Sequence, residues 1–230
     1  MSEEAVQIQV RGAPVDWVSG IWNLPESPDP PALAVLLAHG AGAGMRSAFM
    51  GRTAEFLAER GFPVLRFQYA YTERIEREGK QRPPDRQPML EAVHRQAAGI
   101  LRQRFPEARI VFAGKSMGGR MGSYLAAEGE DVAALAYLGY PLHPPGKPER
   151  LRTDQFPSVT QPSLFLQGTR DALCDLELLR PALETYGGPT TLEVIEGADH
   201  SFQVLRSTGL SDDEVLEDVL GRMTTWLQKI

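Results

Sequence analysis

Three residues of the types needed for nucleophilic catalysis follow three separate strand-like segments of this sequence. Ser116 lies in the motif GKSMG, Asp171 in QGTRD and His200 in GADHSF. A serine hydroxyl becomes nucleophilic when a neighbouring imidazole accepts its proton, and a carboxylate orients that imidazole and stabilises its cation. We therefore predict that Ser116 is a nucleophile, His200 its general base and Asp171 the acid that orients the base.

The serine motif has the pattern G-x-S-x-G and lies between a predicted strand, 109–113, and a predicted helix, 117–128. A serine on so sharp a strand-to-helix turn projects its hydroxyl from the sheet, and glycines two residues to either side avoid collisions with neighbouring backbone. The dinucleotide pattern G-x-G-x-x-G and the phosphate-loop pattern G-x-x-x-x-G-K-[ST] are both absent.

The acid has two rivals in the sequence. Asp175 follows Asp171 by four residues, and Asp199 directly precedes the predicted base. Asp171 could also serve only as the N-cap of the following helix. We favour Asp171 because it comes at the end of a strand, at the sheet edge where the nucleophile is expected.

The other three histidines are assigned no chemistry. His94 is predicted to be a boundary or surface residue of a helix, and His143 a solvated loop residue. His39, at the end of strand 33–38, is predicted to support the loop that follows through hydrogen bonds.

That loop, HGAGAG, consists almost entirely of small residues that leave backbone amides accessible. We predict that the amides of Ala41 and Met117 form an oxyanion hole. A phosphate-binding loop is the alternative, but no lysine follows at the required place.

Strand-length apolar runs alternate with longer amphipathic segments, which predicts a mostly parallel sheet of about seven to eight strands with helices on both faces. We expect one domain spanning residues 1–230, with an antiparallel hairpin at its N-terminal edge. The predicted strands are 6–10, 17–24, 33–38, 63–67, 109–113, 132–138, 163–166 and 190–195, and the predicted helices are 47–60, 88–105, 117–128, 173–186 and 211–227.

Two atypical segments, 69–87 and 141–161, follow predicted strands; the first is dense in charge and the second in proline. Because parallel strands end at one sheet edge, we expect both segments to flank Ser116. The candidate pocket residues are Tyr69, Tyr71, Tyr140, Leu142 and Phe202. The second segment is too short to form a large cap domain.

Composition narrows the function classes further. The 230 residues carry a net charge of −6, which argues against a nucleic-acid partner. The single cysteine suits a reducing compartment, and neither a signal peptide nor a membrane-length apolar run is evident. We expect a cytoplasmic protein that acts on a small molecule; its oligomeric state is left open.

The motifs HGAGAGM, AGKSMGGRM, YPLHPPGKP, QGTRD and GADHSF together resemble the small α/β-hydrolase family related to dienelactone hydrolases, which includes testis-expressed protein 30. The resemblance extends from about residue 33 to the last helix. It implies an α/β-hydrolase fold with little lid and a triad of Ser116, Asp171 and His200. Dienelactone hydrolases use a cysteine nucleophile where this chain has Ser116, so the resemblance does not imply dienelactone chemistry.

The sequence therefore predicts a serine hydrolase of a small carboxylic ester or thioester that forms an acyl-serine intermediate and needs no metal or organic cofactor. Amidase or peptidase chemistry could use the same residues. The alternative from another class is a scaffold or binding protein that keeps the fold without catalysis.

Overall fold

A single twisted sheet forms the centre of the computed structural model, which describes residues 1–26 and 30–230. Eight strands in these two ranges form the sheet in the order β1-β2-β4-β3-β5-β6-β7-β8. β2 is antiparallel to β1 and β4, and every pairing from β4 through β3 to β8 is parallel. The strands are β1 Ser2–Gln9, β2 Trp17–Leu24, β3 Leu33–Ala38, β4 Val64–Phe67, β5 Arg109–Lys115, β6 Ala134–Leu138, β7 Ser163–Gly168 and β8 Thr190–Ile195.

Helices connect most of the parallel strands and cover both faces of the sheet. In the described part of the chain these are α1 Ala48–Glu59, α2 Ala70–Glu78, α3 Gln87–Arg104, α4 Met117–Ala127, α5 Leu176–Glu184 and α6 Asp212–Leu227. None of these helices is long and apolar enough to cross a membrane. Because β3 to β8 run parallel, their carboxyl ends lie at one edge of the sheet.

The side chains of β3 show how the sheet holds two cores. Ala34, Leu36 and Ala38 contact the cluster formed with α3 and α4, whereas Leu33, Val35 and Leu37 contact the cluster formed with α1 and α6. Alternation with period two sends successive side chains to opposite faces. A strand buried on both faces must be apolar throughout, which is why LAVLLA contains no polar residue.

The structure departs from the sequence-based prediction in the charge-dense segment 69–87. Its first part forms α2, which was not predicted because only the first turn is buried, from Ala70 to Glu73. Beyond that turn the helix has no apolar stripe and is stabilised by ion pairs four residues apart, such as Glu73–Arg77 and Arg74–Glu78.

Two histidines are buried, contrary to the prediction from sequence. His94 of α3 is 1% exposed and lies 3.1 Å from the Tyr69 hydroxyl, so it belongs to the core. Burial lowers the pKa of His94 to about 3, which keeps the ring neutral. His143 is 5% exposed, and its Nε2 accepts a hydrogen bond from the Asp175 amide.

Candidate active site

Ser116 occupies a backbone conformation that few residues other than glycine adopt, with φ 51° and ψ −115°, between β5 and α4. The neighbouring backbone explains the two flanking glycines. A Cβ at Gly114 would lie 2.2 Å from the Gly119 nitrogen, and one at Gly118 would lie 2.4 Å from the Ala38 oxygen. The strained turn therefore depends on residues that lack a side chain at both positions.

Ser116 and His200 are in hydrogen-bond contact although 84 residues separate them. The Ser116 Oγ lies 2.9 Å from His200 Nε2, and His200 Nδ1 lies 2.7 Å from Asp171 Oδ2. An ionised carboxylate can only accept hydrogen bonds, so Nδ1 donates to Asp171. This leaves Nε2 as the acceptor for the Ser116 hydroxyl.

The Asp171 carboxylate is fully shielded from solvent and is held by donors on both oxygens. Its Oδ1 accepts from the Leu173 amide at 2.8 Å, and its Oδ2 accepts from Gln167 Nε2 at 2.5 Å. Gln167 is held in turn because its Oε1 accepts from the Tyr140 amide at 2.9 Å. These bonds fix the carboxylate beside the imidazole.

The two rival carboxylates have other partners. Asp175 is the N-cap of α5, and its Oδ1 accepts from the Glu177 amide at 2.9 Å. Asp199 closes its own turn, since its Oδ1 accepts from the amides of Ser201 at 2.8 Å and Gln203 at 3.0 Å. Of the three candidate acids, Asp171 is the one in contact with the His200 imidazole.

Side-chain hydrogen bonds to its carbonyl groups hold the loop after β3 in place. His39 Nε2 accepts from the Tyr69 amide, which leaves Nδ1 to donate to the Gly40 carbonyl at 2.7 Å. The Tyr71 hydroxyl donates to the carbonyls of Gly40 at 3.3 Å and Ala41 at 3.1 Å. Burial lowers the pKa of His39 to about 4, so the ring stays neutral in this supporting role.

These contacts determine the direction of the Ala41 N–H, one of the two predicted oxyanion donors. The carbonyl and N–H of a trans peptide point in opposite directions, so a Gly40 carbonyl turned toward His39 and Tyr71 turns the Ala41 N–H away from them. Ala41 itself lines the cavity at Ser116. Met117 is the first residue of α4, where a backbone N–H has no partner within the helix.

A cavity of about 590 Å³ opens beside Ser116. It lies between the loop after β3, α1, the turn that carries His200 and the start of α6. Its apolar wall comes from Ala48, Phe49, Met50, Leu173, Phe202 and Leu216, and its charged groups are Arg52, Lys115, Asp212 and Asp213. No group of three or more His, Cys, Asp or Glu side chains in residues 1–26 and 30–230 is arranged to hold a metal ion.

The structure corrects most of the predicted pocket. Phe202 lines the cavity, but Tyr69, Tyr140 and Leu142 do not line it and belong to the core on the α3 and α4 side of the sheet. Tyr71 lines a separate cavity and reaches the site only through its hydroxyl. These residues follow strand ends as predicted, but their side chains turn into the core.

The part of the cavity wall that the sequence did not indicate comes from two helices that are far apart in the sequence. Phe49 and Met50 lie on α1, and Leu216 lies on α6. Each is part of an ordinary amphipathic pattern, which predicts burial and gives no sign of a cavity. The sequence also did not indicate that Lys115, which lies inside the serine motif, lines the cavity.

Comparison with known proteins agrees with this topology. A model of the alpha/beta hydrolase domain family matches residues 31–228, which is most of the chain. The chain belongs to the alpha/beta hydrolase family. The fold predicted from its motifs, with a mostly parallel sheet and no large cap, is therefore confirmed.

Solved structures of other hydrolases superimpose on this α/β hydrolase over nearly its whole length. A dienelactone hydrolase from Anabaena variabilis is 22% identical with a TM-score of 0.77, covering 99% of this chain and 97% of that one. An α/β serine hydrolase without lid from Xanthomonas campestris is 21% identical with a TM-score of 0.72, covering 97% and 94%. At these identities the likeness shows the fold alone, and it is the fold that the resemblance to the dienelactone hydrolase-related family implies.

Proposed function

We propose that this α/β hydrolase cleaves a small carboxylic ester or thioester through an acyl-serine intermediate. The observation that carries the proposal is the hydrogen-bonded chain from Ser116 Oγ through His200 to Asp171, with distances of 2.9 Å and 2.7 Å. Three side chains from three strand ends meet in the order that general-base activation of a serine requires.

In the first half of the reaction, Ser116 Oγ attacks the substrate carbonyl carbon while its proton passes to His200 Nε2. The carbonyl electron pair moves onto oxygen, and the resulting tetrahedral intermediate collapses to the acyl-serine. The departing alkoxide or thiolate takes the proton from His200. In the second half, water repeats the attack with His200 as base, and the carboxylic acid leaves as Ser116 regains its proton.

Asp171 would keep the imidazole proton on Nδ1 and stabilise the imidazolium formed in each half-reaction. The predicted oxyanion donors are the amides of Ala41 and Met117, one from the loop after β3 and one from the start of α4. The hydrogen bonds from His39 and Tyr71 to the carbonyls of that loop support the assignment of Ala41.

The size of the substrate follows from the cavity. A volume of about 590 Å³ suits a small molecule, and its apolar wall suits an acyl or alkyl group beside Ser116. The absence of a large cap leaves the site open to solvent-borne substrates.

The proposal is tested with a panel of p-nitrophenyl esters from acetate to octanoate, matching acyl thioesters and matching p-nitroanilide amides, assayed with wild-type protein and with Ser116→Ala. We expect turnover of short or medium chains that disappears in the variant. If folded wild-type protein hydrolyses none of them faster than Ser116→Ala, the hydrolase proposal is wrong and the scaffold alternative replaces it. Turnover of amides alone would shift the proposal to an amidase.

A further inference from the structure

Lys115, the residue before the candidate nucleophile, contacts the backbone of the candidate base. Its Nζ donates a hydrogen bond to the His200 carbonyl oxygen. The ammonium also lies 5.8 Å from the ring centroid of Phe49 and 5.5 Å from that of Phe202, and these two rings stack on each other. The end of β5 is thus connected to the turn that carries His200.

The neighbouring strand leaves room for this contact. Gly139 follows β6 with φ +70°, and a Cβ there would lie 2.9 Å from Lys115 Nζ and 3.2 Å from the His200 oxygen. A side chain at this position would therefore displace the ammonium from the carbonyl. The space around the hydrogen bond is thus bounded by the Gly139 backbone on one side and by the Phe49 and Phe202 rings on another.

Some contacts join the His200 turn to the loop after β7: the Arg170 amide donates to the Ala198 carbonyl at 2.9 Å, and His200 Nδ1 donates to Asp171 at 2.7 Å. Others fix the shape of the turn. Asp199 accepts the amides of Ser201 and Gln203, and Phe202 adopts a positive φ of 61°. These bonds lie within the turn itself. The Lys115 bond instead connects the turn to β5, the strand that ends at Ser116.

We infer that Lys115 is a positioning residue, whose ammonium holds the main chain of His200 so that the imidazole stays in contact with Ser116. The inference rests on the proposed function, since it concerns the same base. A displacement of about 1 Å at a reacting pair can reduce a rate by about 100-fold, so a main-chain anchor at the base has a measurable effect. Lys115 touches neither the hydroxyl nor the imidazole nitrogens in any described hydrogen bond, so its action on the reaction is indirect.

The charge of Lys115 makes this role sensitive to pH. Burial lowers the pKa of Lys115 to about 8, although the nearby carboxylates of Asp171 and Asp199 oppose the shift. The other charged or titratable groups that line the same cavity are His200, on the turn that Lys115 contacts, Arg52 of α1, and Asp212 and Asp213 at the start of α6. A neutral amine still donates a hydrogen bond, but a weaker one than an ammonium.

The test compares Lys115→Met with wild-type protein and with Lys147→Met, which removes an exposed lysine from the proline-rich segment. Methionine keeps an unbranched stem and removes the donor. We expect kcat for the best ester to fall about 10-fold or more in Lys115→Met with little change in KM, and to stay unchanged in Lys147→Met. Circular dichroism and thermal unfolding establish that each variant is folded.

The pH profile of kcat separates positioning from a structural role, and its wild-type arm does not depend on whether Lys115→Met folds. We expect the wild-type kcat, corrected with Ser116→Ala, to decline as pH rises through about 8, and Lys115→Met to lack this decline. An unchanged kcat in folded Lys115→Met would overturn the inference. So would a wild-type kcat that is flat through pH 8, or one that rises because the lysine charge opposes imidazolium formation.

The two proposals fail in distinguishable ways. Wild-type protein without Ser116-dependent turnover would contradict the proposed function, and this inference with it. An active wild-type enzyme that is indifferent to Lys115 would contradict this inference alone.

Discussion

The Nδ1 atom of His200 lies 2.7 Å from Oδ2 of Asp171, whose carboxylate is completely shielded from solvent. Asp171→Asn should therefore lower kcat by about 10³- to 10⁴-fold, because an amide that donates to the imidazole favours the wrong tautomer. Steady-state kinetics on the best ester checks this, with circular dichroism to show that the variant is folded.

Asp175→Asn is the matched control for that substitution. Asp175 caps α5 through the Glu177 amide, and asparagine caps a helix about as well as aspartate does. We expect kcat to stay within about two-fold of wild type, as for a residue outside the reacting unit. A larger loss for Asp175→Asn than for Asp171→Asn would contradict the assignment of the acid.

The strained backbone of Ser116 predicts an unusual order of stabilities. At φ 51° and ψ −115° a residue with a Cβ is strained by about 1–3 kcal/mol. Glycine lowers the free energy of unfolding by about 0.5–1 kcal/mol relative to alanine, because it gives the unfolded chain more conformational freedom. Ser116→Gly should therefore be more stable than Ser116→Ala by about 1 kcal/mol, although both are inactive. Urea unfolding measures the difference.

Ser207 provides the comparison for this prediction. It is exposed and lies in the short 3-10 helix Arg206–Thr208, where alanine fits without strain. There the glycine variant should be the less stable of the pair. The same order at Ser116 as at Ser207 would show that the turn stores no strain.

The Tyr71 hydroxyl supports the loop after β3 through the carbonyls of Gly40 and Ala41. Tyr71→Phe should lower kcat about 10-fold, because the Ala41 amide loses part of the contact network that orients it. Tyr69→Phe is the control: it removes a buried hydroxyl bonded to His94 and should lower stability by about 1–3 kcal/mol. Its kcat should stay near that of wild type, and an equal loss of kcat in both variants would contradict the role of Tyr71.

The position of Leu216 on the cavity wall predicts an effect on chain length. Leu216→Trp should reduce kcat/KM for an octanoyl ester about ten-fold more than for an acetyl ester, because the indole fills space needed by the longer chain. Leu210→Trp changes an exposed leucine just before α6 and should leave the ratio unchanged. A chain-length ratio that does not respond to Leu216→Trp would place the acyl group elsewhere.

The sequence could predict that Ser116, Asp171 and His200 lie together, because their signals are local. G-x-S-x-G between a strand and a helix defines the turn at Ser116, and Asp171 and His200 each follow a strand directly. Parallel strands end at one edge of the sheet, so strand order was not needed to expect that these side chains would meet. The structure adds the bonds of Gln167 and Leu173 to Asp171, which no motif indicates.

The sequence did not predict the cavity wall, because a strand end does not reveal which way the following side chains turn. Tyr69 and Tyr140 turn into the aromatic core beside α3 and α4, whereas Phe49 and Leu216 come from helices far apart in the chain. The contact of Lys115 with His200 could not be predicted either, because its partner is a backbone carbonyl oxygen, which every residue has.

The most direct test of the account is covalent labelling with a fluorophosphonate at neutral pH, read by intact mass and peptide mapping. Wild-type protein should gain one phosphonyl group on the peptide that contains Ser116, and Ser116→Ala should gain none. His200→Ala should be labelled at least about 100-fold more slowly, since it lacks the base. Absence of labelling in folded wild-type protein, or equal labelling of Ser116→Ala, would contradict the claim that Ser116 is an activated nucleophile.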